Sequence, residues 1–260
     1  MSIRPRQSLG QNFLHDPNMA RKIVGAVRAP RDAHVVEIGP GEGALTGLLL
    51  ERYPTFTAFE IDDRAVEHLR REHPALDVRN QDILQVDWTS VAEEKNAPLY
   101  VVGNLPYNIT SQILFDLLDA RQVVREAIVM MQLEVAERLV AVPRTKAYGI
   151  LSVQVQTFAE PELLFKVSRN VFFPRPDVTS ALVRVTMPAD DGHLEAVDPV
   201  FLRSVIRTAF NQRRKTLRNS LGRWTRAMNI ELEGDLENRR AEELTPAEFV
   251  GLARYLEARL

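Results

Sequence analysis

The chain has 260 residues, of which 45% are hydrophobic and 26% charged, with a formal net charge of −2. This composition is typical of a globular protein with one large domain, or a large and a small one. The lack of cysteine excludes disulfides and a cysteine nucleophile, and with five scattered histidines no metal site is expected. No apolar run approaches the roughly 18 residues of a membrane span, and the N-terminus has no signal-peptide pattern, so we expect a cytoplasmic protein without membrane contact.

Short apolar runs alternate with amphipathic stretches over most of the sequence. A helix is predicted to begin at Asp16-Pro17, a capping residue followed by proline. Buried strands are predicted at residues 34–38, 56–61, 76–78, 99–104, 127–131, 163–167 and 181–185. Residues 151–158 alternate as a strand would, yet their position before another predicted strand favours a helix. Strands that alternate with helices indicate an α/β fold with a mostly parallel, seven-stranded sheet covered on both faces.

The sequence changes character after Asp190-Asp191-Gly192, where we predict a domain boundary. Beyond it every pattern is helical, and Asp198-Pro199 and Thr245-Pro246 have the form of helix starts. The predicted domains are therefore 1–189, which holds the sheet, and 190–260, a small all-helical domain.

Ligands of open α/β sheets bind at the carboxyl ends of the strands. The loop 39–44, Gly-Pro-Gly-Glu-Gly-Ala, follows the first predicted sheet strand and formally satisfies the dinucleotide pattern, with Glu60 where a ribose-binding acid is expected. A NAD enzyme is therefore one interpretation. Pro40 lacks an N–H for a pyrophosphate, however, and Glu37 and Glu42 flank the loop. These features favour S-adenosylmethionine, a cationic cofactor without phosphate, with Glu60 on its ribose and Asp82 on its adenine edge.

The strand at 99–104 ends on an unusual tetrapeptide, Asn104-Leu105-Pro106-Tyr107. One interpretation is an ordinary strand-to-helix turn whose tyrosine packs in the core. The other is a site for a flat base with an exocyclic amine. If Asn104 Oδ1 and the Leu105 carbonyl accept both hydrogens of an adenine N6, its lone pair can point at a methyl donor. Tyr107 and a ring from Phe172-Phe173 could then stack on the two faces of the base.

Residues 203–226 carry eight arginine and lysine side chains and no acid. A run of charge is commonly a solvated helix face. The absence of acids here favours contact with a nucleic-acid backbone, which would make binding sensitive to salt.

Five motifs occur in order along most of the chain. They are Gln11-Asn12-Phe13-Leu14, Glu37-Ile-Gly-Pro-Gly-Glu-Gly43, Asn104-Leu-Pro-Tyr107, Phe172-Phe-Pro-Arg-Pro-Asp-Val178 and Phe210-Asn-Gln-Arg-Arg-Lys215. In these motifs the sequence resembles the ribosomal RNA adenine N6,N6-dimethyltransferases. It is most similar to the housekeeping branch, which modifies two adjacent adenines near the 3′ end of small-subunit (16S) rRNA.

The resemblance implies a class I, Rossmann-like methyltransferase domain with a small helical C-terminal domain. It implies S-adenosylmethionine as the cofactor, held by Asn12, Leu14, Gly39, Gly41, Glu60, Asp82 and Asn104. The target adenine would be held by Asn104, Leu105, Pro106, Tyr107 and Phe172, the last because it occupies the first position of Phe-x-Pro-x-Pro-x-Val. RNA would be bound by Arg213, Arg214, Lys215 and Arg218. The expected partner is small-subunit rRNA within an assembling 30S particle, and the expected enzyme is a monomer that serves ribosome biogenesis.

Three alternatives stay open. The first is the antibiotic-resistance branch, which dimethylates one adenine of large-subunit (23S) rRNA and shares the glycine loop and the Asn-x-Pro-Tyr motif. The segment 210–221 and the capped final helix favour the housekeeping branch over it. The second is a binding-only role, such as a ribosome-assembly factor that kept the fold. The third is the NAD dehydrogenase, for which no hydride-transfer acid or base is evident.

Overall fold

The computed structural model describes residues 3–31, 33–53, 56–189, 192–194, 197–232 and 234–260. Asp190 and Asp191, part of the predicted boundary, lie outside these residues. The chain divides into two compact units. The first contains Met1–Ala136 and Glu160–Ala189, and the second contains Glu137–Ala159 and Asp190–Leu260.

The first unit contains all the strands of the described chain. They are β1 (Phe13–Leu14), β2 (His34–Ile38), β3 (Phe56–Glu60), β4 (Asp77–Asn80), β5 (Leu99–Asn104), β6 (Val124–Gln132), β7 (Glu160–Val167), β8 (Phe172–Phe173) and β9 (Ser180–Thr186). Its helices are α1 (Pro17–Gly25), α2 (Thr46–Arg52), α3 (Asp63–Glu72), α4 (Trp88–Lys95) and α5 (Thr110–Asp119). The helix α6 (Leu133–Leu139) contains the division between the two units.

Seven of these strands form one sheet in the order β4-β3-β2-β5-β6-β9-β7. All neighbours from β4 to β6 are parallel, whereas β9 is antiparallel to both β6 and β7. The predicted mostly parallel, seven-stranded sheet is confirmed. The chain runs outward from β2 to β4 and then returns to β5 beside β2. The crevice between the carboxyl ends of β2 and β5 is therefore the expected ligand site.

Burial explains why these runs form central strands. Every residue of β2 and β3 is buried, as is expected of parallel strands covered on both faces. At the end of β5, a Cβ on Gly103 would lie 2.8 Å from the Ile38 carbonyl oxygen. Glycine therefore lets the ends of β5 and β2 approach closely, which brings Asn104 next to the glycine loop.

A two-stranded ribbon, β1 with β8, was not predicted. It pairs Phe13 with Phe173 and Leu14 with Phe172 in antiparallel register. Two residues are too few to show a period-two pattern, so the sequence contains no signal for this pairing. The ribbon joins the Gln-Asn-Phe-Leu motif to the Phe-Phe-Pro motif, although the two are far apart in the chain.

The second unit is helical, with α7 (Ile150–Phe158), α8 (Pro199–Phe210), α9 (Leu217–Ser220), α10 (Gly222–Met228) and α11 (Pro246–Glu257). The predicted helix near 151–158 and the predicted helix starts at Asp198 and Thr245 are confirmed. No helix in the described part of the chain is long and apolar enough to cross a membrane.

Residues 137–159, which the sequence placed with the sheet, belong to this second unit. The reason is packing, because α7 contacts both α8 and α11. The Tyr148 ring lies 6.4 Å from Phe210, which stacks on Phe249 at 5.8 Å, and the Tyr148 hydroxyl donates to the Leu244 carbonyl at 2.7 Å. The chain passes from one unit to the other at 136/137, 159/160 and 189/190, and the boundary predicted from the sequence is the last of these.

Candidate active site

The glycine loop after β2 is closed by hydrogen bonds within the protein. The Gly39 N–H donates to the Phe59 carbonyl at 2.9 Å, and the Gly43 N–H donates to the Pro40 carbonyl at 2.9 Å. The Gly41 N–H donates to a Glu60 carboxylate oxygen at 3.1 Å. All three glycine N–H groups are therefore engaged within the protein, and none is available to a pyrophosphate. This geometry does not fit a dinucleotide and does fit a cofactor without phosphate.

Glu60, the last residue of β3, is buried at the bottom of the cleft. One of its oxygens accepts the N–H groups of Ile61 at 2.8 Å and Asp62 at 2.9 Å, and among the described residues the other accepts only that of Gly41. Burial raises the pKa of this carboxyl, and the three backbone donors act in the opposite direction. The oxygen with a single partner keeps a lone pair for one more donor, such as a ribose hydroxyl.

A second, mainly apolar cavity of about 200 Å³ is lined by Ile61, Asp82 and Ile83 among others. Asp82 begins the short helix Ile83–Gln85 by accepting the Leu84 N–H on Oδ1 at 3.0 Å. Its Oδ2 receives no donor from the described residues, so it can accept from an amine. Ile61 is 49% exposed, unusual for isoleucine, and its side chain lines this cavity. Sequence reasoning missed Ile61, although its place directly after Glu60 was a usable signal.

The N-terminal arm, residues 3–14, forms the opposite wall of the cleft, where Leu9 to Phe13 face Gly39, Gly41 and Glu60. The Phe13 ring packs so closely on Gly41 that a Cβ there would lie 2.8 Å from it. Asn12 and Leu14, both predicted to bind cofactor, line the same side of the site. The structure thus brings together all the predicted cofactor residues at one edge of the sheet.

Asn104 is held in one orientation by the arm. Its Nδ2 donates to the Asn12 carbonyl oxygen at 2.9 Å. Because a carbonyl only accepts, the amide nitrogen must face Asn12, and Oδ1 must point the other way. Neither Oδ1 nor the Leu105 carbonyl oxygen receives a donor from the described residues. The next carbonyl oxygen, that of Pro106, accepts a hydrogen bond at 2.9 Å from the hydroxyl of Thr110, the first residue of α5.

Tyr107 lines both the cofactor cleft and a larger, open cavity of about 690 Å³. Its hydroxyl shares a hydrogen bond with Ser180 Oγ at 2.7 Å, and burial raises the pKa of the phenol, so it is neutral at physiological pH. The open cavity is also lined by Gln132 and by the loop Pro174–Val178. A base could enter from this side and meet Asn104, with the ring of Tyr107 beside it.

Phe172, predicted to be the second stacking ring, is only 3% exposed and packs in the hydrophobic core. Its neighbour Phe173 is 62% exposed. In this structure the accessible ring is thus that of Phe173, because the pairing of Leu14 with Phe172 turns both of those side chains to the core. The role of Phe172 as a stacking residue stays a prediction.

Two more acids lie near the cleft: Glu37, whose charge beside the glycine loop was expected to favour a cationic cofactor, and Asp62, which had no predicted role. Glu37, on β2, is buried, with its Oε2 accepting from the Thr46 hydroxyl at 2.7 Å, and burial raises its pKa to about 8. At neutral pH this carboxyl therefore does not supply the negative charge expected from its place in the sequence. Asp62 accepts from Arg64 at 2.9 Å and from Gln11 at 2.9 Å, and these bonds lower its pKa to about 2. Asp62 therefore links the arm to the start of α3.

Comparison with known proteins decides the family. The family model for ribosomal RNA adenine dimethylase matches residues 3–258. The chain is 55% identical to "Ribosomal RNA small subunit methyltransferase A" of Salinibacter ruber, over 99% of this chain and 88% of that protein. This protein belongs to the ribosomal RNA adenine dimethylase family.

Two solved structures have a similar fold. A dimethyladenosine transferase from Plasmodium falciparum has a TM-score of 0.79 at 22% identity, covering 95% of this chain and 98% of that one. The 23S rRNA methyltransferase ErmE has a TM-score of 0.68 at 28% identity, covering 95% and 100%. The class I methyltransferase fold predicted from the sequence is confirmed, and the NAD dehydrogenase alternative is wrong.

The cations of this family member that were predicted to bind RNA lie in the second unit and differ in their surroundings. Arg213 Nε donates to the Glu242 carboxylate at 2.7 Å, and Arg218 lies 3.8 Å from Glu237. Arg214 and Lys215 are exposed and form no ion pair with any described residue. The stretch that lacks acids in the sequence thus acquires acidic neighbours in the fold.

Proposed function

We propose that this enzyme transfers methyl groups from S-adenosylmethionine to N6 of two adjacent adenines near the 3′ end of small-subunit rRNA. The observation that carries the proposal is the locked amide of Asn104, whose Oδ1 and the neighbouring Leu105 carbonyl are free to accept. The relatives named small subunit methyltransferase A support the choice of RNA.

The residues of the cleft fit the cofactor. Glu60 has a lone pair for the ribose hydroxyls, and Asp82 Oδ2 can accept from the adenine amine. Ile61 and Ile83 supply apolar faces for the adenine ring. When bound, S-adenosylmethionine supplies a methyl group activated by its sulfonium charge. Asn12, Leu14, Gly39 and Gly41 line the part of the cleft nearest Asn104.

The chain's own contribution to the chemistry is to position the target amine. The lone pair of adenine N6 is conjugated with the ring and therefore a weak nucleophile. If Asn104 Oδ1 and the Leu105 carbonyl accept its hydrogens, the nitrogen would become more pyramidal and its lone pair more available to a methyl donor. The proton that the amine loses on methylation would pass to water. Pro106 fixes the turn that presents this carbonyl. Such fixed acceptors act by orientation and electrostatics and need no strong base.

Stacking would help to hold the base outside the RNA helix. Tyr107 supplies one ring and the Phe172-Phe173 ribbon is proposed to supply the other. Stacking contributes about 1–3 kcal/mol per base, similar to the few kcal/mol that extrusion costs. Arg214 and Lys215 are proposed to contact the RNA backbone, and the substrate is proposed to be an assembling 30S particle that a monomeric enzyme binds in the cytoplasm.

A second candidate function is methylation of a single adenine in large-subunit rRNA. It is supported by the similarity to the 23S rRNA methyltransferase ErmE, which covers 95% of this chain. Both candidates are tested by offering labelled S-adenosylmethionine with unmethylated small and large ribosomal particles and mapping the labelled adenines. We expect label at two adjacent adenines of the small-subunit RNA. Label in large-subunit RNA alone would refute the proposal, and no label on either particle would favour a binding-only role.

A further inference from the structure

We infer that Lys146, in the loop between α6 and α7, contacts the RNA backbone together with Arg214 and Lys215. We further infer that Arg213 holds this loop in place and does not itself bind RNA. The inference rests on the proposed function, because it concerns how the same enzyme binds its RNA.

The guanidinium of Arg213 joins two segments of the second unit. Its Nη2 donates to the carbonyl of Lys146 at 2.9 Å and to that of Thr145 at 3.3 Å, 68 residues away in the chain. Its Nε donates to the Glu242 carboxylate at 2.7 Å. A planar guanidinium with five N–H donors is suited to such bridging. The donors of Arg213 are thus directed at its own protein, and its charge is offset by Glu242.

The short helix Ala241–Glu243 connects the same segments a second time. The Glu242 carbonyl accepts the Arg144 N–H at 2.8 Å, and Glu243 lies 3.6 Å from the Arg144 guanidinium. On its other side, the Arg239 carbonyl accepts the Leu217 N–H at 2.8 Å. The loop 143–147 is therefore fixed beside residues 211–217 by backbone bonds as well as by Arg213.

Of the cations in segments 143–147 and 211–217, Arg144 and Arg213 are paired with acids and three others have no such partner among the described residues. Lys146, Arg214 and Lys215 are exposed, and none of them forms an ion pair with a residue in the described ranges. Because Arg213 already neutralises Glu242, the surface formed by Lys146, Arg214 and Lys215 is positively charged. Its charges come from two segments that are far apart in the chain. Closely spaced, unpaired cations bind the phosphates of RNA by releasing condensed counterions. Lys146 was not recognised as part of this surface in the sequence, because it lies far outside the basic run.

The test measures the salt dependence of binding. A transcript of the 3′ end of small-subunit rRNA is titrated with Lys146→Gln, Lys215→Gln and the wild-type protein over a range of KCl. We expect each substitution to lower the slope of log Kd against log salt by about 0.7 to 0.9, the value for one phosphate contact. Arg21→Gln, which removes an exposed cation from α1 in the first unit, is the control and should leave the slope unchanged. A normal slope in Lys146→Gln beside a lowered slope in Lys215→Gln would overturn the inference.

Glu242→Ala tests the role of Arg213 by the sign of its effect. Removal of a negative charge should strengthen RNA binding if Arg213 is then free to contact phosphate. We expect weaker binding, because Arg213 loses the carboxylate that orients its guanidinium toward the Thr145 and Lys146 carbonyls, and thermal unfolding would show that the variant is folded. Tighter binding would refute the holding role. Failure of the proposed function would look different, since the wild-type protein would then leave unmethylated small-subunit particles unlabelled, whatever the salt slopes of the variants.

Discussion

Asn104 and Leu105 carry out different parts of the same task. The side chain of Asn104 provides an acceptor, whereas Leu105 provides only its backbone carbonyl. We therefore expect Asn104→Ala to lower kcat by about 10²–10³, as loss of one fixed polar group does in other active sites. Leu105→Ala should be far milder in kcat per folded molecule.

Leu105 is 1% exposed, so its truncation also leaves a cavity and costs about 2–5 kcal/mol of stability. Leu105→Met, which preserves volume, is the better control for methyl transfer. Single-turnover rates with small-subunit particles measure the comparison. Equal losses of methyl transfer in Asn104→Ala and Leu105→Met would contradict the division of roles.

Glu37 makes stability depend on pH near neutrality. Its pKa rises on folding from 4.5 to about 8, so the native state binds the proton more tightly, and stability falls as pH rises from about 4.5 to 8. His34, whose pKa falls from 6.5 to about 4, acts in the opposite direction but only below pH 6.5. We expect the free energy of unfolding to fall between pH 6.5 and 8, and Glu37→Gln to flatten this fall. Urea melts at several pH values measure it, and an unchanged slope in the variant would exclude Glu37 as the cause.

The two phenylalanines of β8 can be separated by comparing stability with activity. Phe172→Leu should lower the free energy of unfolding by about 1–3 kcal/mol, because its ring is buried, whereas Phe173→Leu should change it by less than about 0.5 kcal/mol. Methyl transfer, measured on folded protein, then shows which ring stacks on the base. Equal stability in both variants would contradict the burial of Phe172.

At the scale of elements, the N-terminal arm depends on Asp62. The carboxylate binds Gln11 of the arm and lies 3.5 Å from Arg6, while Arg64 contacts both Asp62 and the Arg4 carbonyl. The low pKa of Asp62 keeps it ionised at physiological pH. This side chain therefore helps to hold the wall of the cofactor cleft against the sheet, together with the β1–β8 ribbon and the bond from Asn104 to Asn12.

Asp62→Asn should loosen the arm without removing any group proposed to touch the cofactor. We expect S-adenosylhomocysteine to bind about tenfold more weakly, which corresponds to the roughly 1.5 kcal/mol of one hydrogen bond to a charged group. Trypsin should also cleave faster after Arg6, whereas the Arg4–Pro5 bond is resistant to trypsin. Calorimetry and timed proteolysis measure the two effects. Asp63→Asn, an exposed neighbour on α3, is the matched control, and identical affinities in the two variants would refute the anchoring role.

At the scale of the whole molecule, the two units are not successive segments of the chain. Residues 137–159 leave the sheet unit, and α7 packs on α8 and α11 in the helical unit. A fragment 1–189 would therefore contain α7 without the helices that cover its apolar side. Domain boundaries drawn from composition alone would miss this excursion.

We expect the fragment 1–189 to aggregate or to bind a hydrophobic dye, whereas the full chain should do neither. Size-exclusion chromatography and dye fluorescence of both proteins measure the difference. The buried Val153, Val155 and Phe158 of α7 are the side chains at issue. A fragment that stays monomeric and melts cooperatively would show that α7 does not need the second unit.

Local patterns in the sequence were enough to predict the strands of the sheet and to place most of the candidate site residues at their ends. Strand periodicity, the glycine loop and caps such as Asp198 are local features, so neighbouring residues suffice to specify them. Because parallel strands place their carboxyl ends at one edge, the pattern of strands is enough to group Gly39, Glu60, Asp82 and Asn104. The Asn-Leu-Pro-Tyr motif added the chemistry expected there.

Tertiary structure alone decided the features that depend on contacts between distant residues. The bond from Asn104 to Asn12 spans 92 residues, and the ribbon that buries Phe172 has only two residues in each strand. The pairing of Arg213 with Glu242 likewise joins segments that are apart in the chain. Such contacts bring no periodic pattern to the sequence, because each is fixed by one or two side chains that meet only after the chain has folded.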